Sequence, residues 1–159
     1  MFKSKIIILG IGNRLKSDDG FGSILAERLN SYQNENLKII DCGEVPENYI
    51  REIFDFKPDS IVIIDALYVP DKAVGEVLIL EEGAKDVPSI STHAGSLELF
   101  LDVLKMQGLS FNSFLLGIIP ENVQMGEDIS EQVQKGIEDI LKKFPEYLKK
   151  FSLNKEDIV

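Results

Sequence analysis

The stretch Ile6-Ile7-Ile8-Leu9-Gly10-Ile11-Gly12-Asn13-Arg14-Leu15-Lys16-Ser17-Asp18-Asp19-Gly20 decides how this chain reads. Its opening run, Ile6 to Leu9, is apolar without alternation, as in a strand buried on both faces. Gly10 and Gly12 permit a tight turn. An irregular loop follows, then two carboxylates, then a helical pattern from about Gly20. A strand that runs through a glycine turn into a helix puts its loop at the carboxyl edge of a parallel sheet, where such folds bind ligands. A phosphate-binding loop would bring a third glycine and a bare helix N-terminus. Here Leu15 stands in place of that glycine, and Asp18 and Asp19 occupy the place of a pyrophosphate.

The same alternation continues outward from this stretch. Phe21, Ile24, Leu25, Leu29 and Tyr32 fall at helical spacing, with Ser17 or Asp18 available as a cap. Leu37 to Asp41 predicts a second strand, ending in Asp41-Cys42-Gly43. A short helix starts near Pro46, carries Tyr49, Ile50, Ile53 and Phe54, and stops at Lys57-Pro58-Asp59. Ser60 to Ala66 predicts a third strand, apolar until Asp65. Gly75 to Leu80 is a shorter strand that follows without a helix, which puts it at a sheet edge and leaves an antiparallel direction open. A polar loop, residues 81–88, leads to Ser91-Thr92-His93 and a helix bearing Leu97, Phe100, Leu101 and Leu104, ended by Gly108. Ser113 to Ile119 is the last strand, closed by Pro120-Glu121. Ile129 to Phe144 predicts an amphipathic helix capped from Ser130, with Glu131 in its first turn. Pro145 is expected to interrupt it, leaving 146–159 as a charged C-terminal tail. The order predicts right-handed βαβ units: an α/β fold of three layers, αβα, around a mostly parallel sheet of roughly five strands, with room for one antiparallel edge strand.

Bulk properties narrow the function. A chain of 159 residues is expected to form a single domain, 1–159, long enough to bury a core without staples. Charged residues are 28% and hydrophobic ones 44%, an ordinary balance for a globular domain. The net charge of −10 argues against nucleic acid and anionic membrane as partners, because that field repels phosphates. Met1 to Lys5 runs directly into the first apolar segment without a small-residue cleavage site, so the segment reads as strand and not as signal peptide. No apolar stretch approaches the roughly 20 residues of a membrane span. With Cys42 alone no internal disulfide forms, and a reducing, cytoplasmic setting is expected. The single histidine, His93, excludes zinc sites built from several histidines or from Cys/His clusters. Any metal held by this chain alone leans on carboxylates.

Three groups carry candidate chemistry: Asp18-Asp19 after the first strand, Asp65 at the end of the third, and His93 at a helix start. Strands one and three are neighbours in the common parallel orders, so their carboxyl ends meet, and a loop entering a helix can hang His93 over the same edge. Two carboxylates and an imidazole can bind a divalent first-row metal with open positions. Each residue also has a plain reading: helix caps for the aspartate pair, an Asx turn for Asp65, a cap or loop position for His93. Other functions stay open at this point. Gly10-Ile11-Gly12 with Asp41 mimics a dinucleotide fold; Cys42 with His93 suggests a thiol hydrolase; and an acidic binding module or chaperone for a metal-containing partner needs no catalysis.

The stretch Gly10 to Gly22 resembles the signature of the hydrogenase maturation endopeptidases, in which a strand enters Gly-x-Gly-Asn, then an acidic pair, then Gly-x-Gly. Asp41-Cys42-Gly43, Ile63-Ile64-Asp65-Ala66, Ser91-Thr92-His93 and Gly117-Ile118-Ile119-Pro120-Glu121 follow in the family's order, so the resemblance spans roughly residues 5–145. It implies a twisted sheet of about five strands between helices. It also implies an endopeptidase that removes a C-terminal extension from the large-subunit precursor of nickel–iron hydrogenase after nickel insertion. Carried over by motif, the metal ligands and catalytic groups are Asp19, Asp65 and His93. The resemblance further implies that nickel is supplied by the precursor, with another divalent metal expected to substitute in the isolated protein. Asp41 and Gly43 are the candidate substrate-binding residues. Cys42 departs from the family, which commonly has glycine there, and has no required role.

Overall fold

The computed structural model describes residues 4–81, 90–91 and 93–152. In chain order the elements are β1 (Ile6–Ile11), α1 (Phe21–Leu29), β2 (Leu37–Gly43), α2 (Ile50–Phe56), β3 (Ser60–Tyr68), β4 (Val77–Glu81), β5 (Ile90–Ser91), α3 (Ala94–Met106), β6 (Asn112–Ile118) and α4 (Glu131–Phe151). A 3-10 turn, Ser17–Gly20, leads directly into α1. The polar loop expected over 81–88, apart from Glu81 in β4, lies outside the described residues, as does 153–159 of the expected tail.

The sheet runs β2-β1-β3-β6-β4, with β5 paired to β3. β2, β1, β3 and β6 are parallel, and β4 closes the β6 edge antiparallel. The unbroken apolar runs of β1 and β3 follow from burial on both sides. Ile6 and Ile8 pack with Phe21, Leu25, Val133, Ile137 and Phe144, against α1 and α4. Ile7, Leu9 and Ile11 pack with Ile53, Leu97, Phe100 and Leu104, against α2 and α3.

Right-handed crossovers dictate this layering. From β1 the chain moves through α1 to β2. It then returns through α2 to β3, on the far side of β1, and through α3 to β6. Opposite directions of travel put α1 on one face and α2 with α3 on the other. The reversal falls between β1 and β3, the switch point where open α/β sheets bind ligands outside the strands' carboxyl ends.

Two expectations are corrected. Neither Ser17 nor Asp18 caps α1 with its side chain; both reach across to the segment before α4 instead. And α4 continues through Pro145 to Phe151. Proline removes one helical hydrogen bond and crowds the preceding turn, at a cost of roughly 3 kcal/mol. Burial beyond it offsets that cost. Phe151 is fully buried, its ring 5.3 Å from Phe114, and its carbonyl accepts a 2.8 Å hydrogen bond from the buried Ser60 hydroxyl. Tyr147 and Leu148 pack against the same core. Phe144, Tyr147, Leu148 and Phe151 form one helical face, which the surrounding charges mask in the sequence.

Candidate active site

Glycines bring α1 down onto the ends of β1 and β3. A Cβ at Gly22 would stand 2.2 Å from the carbonyl oxygens of both Ile11 and Ile64, and one at Gly12 would meet the carbonyl of Asp19 at 2.1 Å. Both positions require glycine for this close backbone approach. The contact at Gly12 presses the turn carrying Asp19 onto the end of β1, at the switch point.

The two adjacent aspartates have different tasks. Asp18 is fully buried. Its Oδ1 accepts from the Ser130 backbone N–H at 2.7 Å, and its Oδ2 from the Ser130 hydroxyl at 2.8 Å, the Glu121 N–H at 2.9 Å and the Asn122 N–H at 3.4 Å. It therefore joins the turn before α1 to the loop after β6 and to the start of α4. Ser130 in turn caps α4, its hydroxyl oxygen accepting from Val133 N–H. Asp19 is also buried, and its Oδ2 accepts from the Asn13 N–H at 3.1 Å.

Asp65, on β3, is fully buried. His93 immediately precedes α3, and its side chain makes no cap hydrogen bond. Its Nδ1 lies 3.1 and 3.3 Å from the two oxygens of Asp65. Strand pairing accounts for the meeting. Leu67 stands opposite Ser91 in the antiparallel β3–β5 pair. Asp65 lies two residues before Leu67 and His93 two residues after Ser91, so this short pairing holds the two chain segments side by side. The Asp65 contact pushes the His93 imidazole up from 6.5 to about 9. Burial opposes that rise, while Glu44 and Asp19 add to it.

One ligand atom from each of Asp19, Asp65 and His93 lies within 4.8 Å of the other two. Donors held about 2.0–2.2 Å from one ion in a tetrahedral set stand about 3.4 Å apart, so these three stand only a little wider than such a set. Two carboxylates and one imidazole suit a divalent first-row cation and leave positions open for a substrate. The residues present fit such an ion.

The remaining candidates separate. Cys42 is the residue skipped in the β1–β2 register, where Gly10 pairs with Asp41 and Ile11 with Gly43. Its side chain lies in the α2/α3 core. Burial first, then Asp41, Glu52 and Glu47, push the thiol up to about 12, which is unfavourable for a thiolate nucleophile. Asp41 is exposed at the site edge. Its Oδ2 meets Arg14 at 3.3 Å and its Oδ1 accepts from the Gly43 N–H. Gly43 has a positive φ of 58° and accepts from Gly12 N–H through its carbonyl. Two neighbours escape a reading of the sequence. Arg14 braces the loop through Ser23, Asp41 and Glu27, and Glu44 faces the far side of His93. Their only signal is adjacency to the motifs.

This arrangement defines an α/β protein whose acid–imidazole cluster sits at the switch point of its sheet. Comparison with known proteins makes the class specific: the family model HycI, hydrogenase maturation protease, matches residues 24–146, and the chain belongs to that family. A Methanocaldococcus jannaschii protein bearing the same family name is 33% identical over 95% of this chain and 92% of its own length. The crystal structure of the [NiFe] hydrogenase maturation protease HycI from Thermococcus kodakarensis is 30% identical. It covers 92% of this chain and 94% of that one, with a TM-score of 0.74. The hydrogenase maturating endopeptidase HybD from E. coli is 26% identical, covering 92% and 93%, with a TM-score of 0.77. The chain is accordingly a hydrolase of the endopeptidase kind.

Proposed function

We propose that this protein cuts the C-terminal extension from a nickel-loaded [NiFe]-hydrogenase large-subunit precursor, with the substrate's own nickel as recognition handle and Asp19, Asp65 and His93 as the groups that grasp it. The observation that carries this reading is the approach of those three side chains, from three separate elements, to within 4.8 Å. A divalent ion bound there supplies charge that polarises a scissile carbonyl or acidifies a water. The chain's own part is positional and acid–base. Buried Asp19 and Asp65 supply oxygen donors, one of which can also accept a proton from the attacking water. His93 supplies the nitrogen donor. Asp41 and Gly43, at the exposed end of β2, border the approach and are the proposed substrate contacts. Recognition through the metal makes an unloaded precursor a poor substrate, which gives the cut its place after metal insertion. The cytoplasm, a reducing setting that suits a lone buried thiol, is where this reading puts the reaction.

The test is mass spectrometry of nickel-loaded and nickel-free precursor after incubation with the protein. Loss of a C-terminal peptide from the loaded form alone is expected. Asp19→Ala, Asp65→Ala and His93→Ala should each lower the rate by at least about a hundredfold, since each removes a direct donor. Equal cleavage of both forms would remove the metal from recognition. Binding of the loaded form without cleavage would make the protein a metal-dependent binding module.

A further inference from the structure

We infer that Glu44 is a positioning residue for His93: its carboxylate takes the Nε2 side of the ring and so commits Nδ1 to the Asp19–Asp65 cluster. The inference rests on the metal-site reading and extends it to a residue that reading does not use. The two ring nitrogens face different carboxylates. Nδ1 is 3.1 and 3.3 Å from the oxygens of Asp65, whereas Nε2 is 3.4 Å from Glu44 Oε1. A neutral imidazole that gives a lone pair to a metal keeps its proton on the other nitrogen, and the acceptor there sets tautomer and ring orientation. With the metal among Asp19, Asp65 and Nδ1, the proton belongs on Nε2 and Glu44 is its acceptor.

Two features hold Glu44 in place. The skipped residue Cys42 and the positive φ of Gly43 turn the chain as it leaves β2; such bulges bend a strand and re-aim the residues beyond it. The second oxygen, Oε2, accepts from Asn13 Nδ2 at 3.4 Å, while the backbone N–H of the same Asn13 donates to Asp19. Glu44 thus links the histidine before α3 to the loop that fixes the first carboxylate. Being half exposed on one rim, it has little part in the core.

The experiment uses zinc as the probe on the full-length protein. The chain has one histidine, so a long-range proton–nitrogen NMR spectrum reports a single imidazole. The zinc-loaded protein should show the proton on Nε2 and the metal-induced shift on Nδ1. By calorimetry, Glu44→Ala should lower zinc affinity about 10- to 100-fold, the range for loss of an outer partner of a metal-bound histidine, with the melting temperature of the metal-free protein only slightly lowered. Glu44→Gln, whose amide oxygen still accepts from Nε2–H, should recover part of the loss. Zinc on Nε2, or wild-type affinity in Glu44→Ala, overturns the role of Glu44 while zinc uptake abolished by Asp65→Ala leaves the metal site standing. A wild-type protein that takes up no zinc overturns the metal site and this inference together.

Discussion

Asp18 and Asp19 are adjacent, both acidic and both buried, yet their substitutions should fail differently. Asp18 satisfies two backbone N–H groups, a hydroxyl and a longer third N–H. Asp18→Ala strands those donors and should cost roughly 2–4 kcal/mol of stability, read as a lower urea midpoint. Asp19→Ala removes one acceptor of a backbone N–H and should abolish cleavage at a much smaller cost in stability. A reversed pattern would exchange their roles. His93 sets a pH dependence. Its imidazole titrates near 9 when folded and metal-free, against 6.5 otherwise, so the charged pair with Asp65 supports the fold fully below pH 6.5 and ever less as pH rises through 9. A metal that takes Nδ1 must expel that proton. Zinc affinity should therefore rise with pH by up to about tenfold per unit and level off near pH 9, with proton release detectable by calorimetry in buffers of different ionisation enthalpy. Affinity independent of pH between 6.5 and 9 would mean that the ring is already neutral.

At the level of elements, α4 is where local and tertiary preferences conflict. Pro145 marks an interruption by propensity, yet the helix persists because Phe151, two turns from Phe144, fills the space beside Phe114. Phe151→Ala should cost about 3–5 kcal/mol, the usual range for a large core aromatic. Circular dichroism should show helix lost beyond Pro145. Little loss of stability would mean that the segment past the proline is dispensable. β5 has a similar role on a smaller scale: two residues of pairing hold Ser91 beside Leu67, each two residues from His93 and Asp65.

For the whole molecule, the donors come from positions 19, 65 and 93, from the turn after β1, from β3 and from the start of α3. They meet only in the folded chain. Metal binding is then coupled to global stability: zinc at about 100 times its dissociation constant should add about 2.7 kcal/mol. For a chain of this size that corresponds to a melting temperature about 5–10 °C higher. Asp65→Ala should show no such rise. A zinc-induced rise retained in Asp65→Ala would put the ion elsewhere.

Five of the six described strands (all but the two-residue β5), most helices, the edge placement of β4 and the carboxyl-edge position of Asp19, Asp65 and His93 are legible in sequence, because strands buried on both faces leave continuous apolar runs and right-handed crossovers limit how they can be ordered. Local spacing alone leaves several things open. It does not separate Asp18 from Asp19, because the partners of Asp18 stand more than a hundred residues away in sequence. It does not carry α4 past Pro145, because the compensating contact is with β6. It does not single out Glu44 or Arg14, whose partners come together only when the loops after β1 and β2 close. What the sequence determined by itself is what short-range pattern and chain handedness encode. What the tertiary structure decided is which polar side chain satisfies which distant donor, since that choice depends on groups brought near only by the packed sheet.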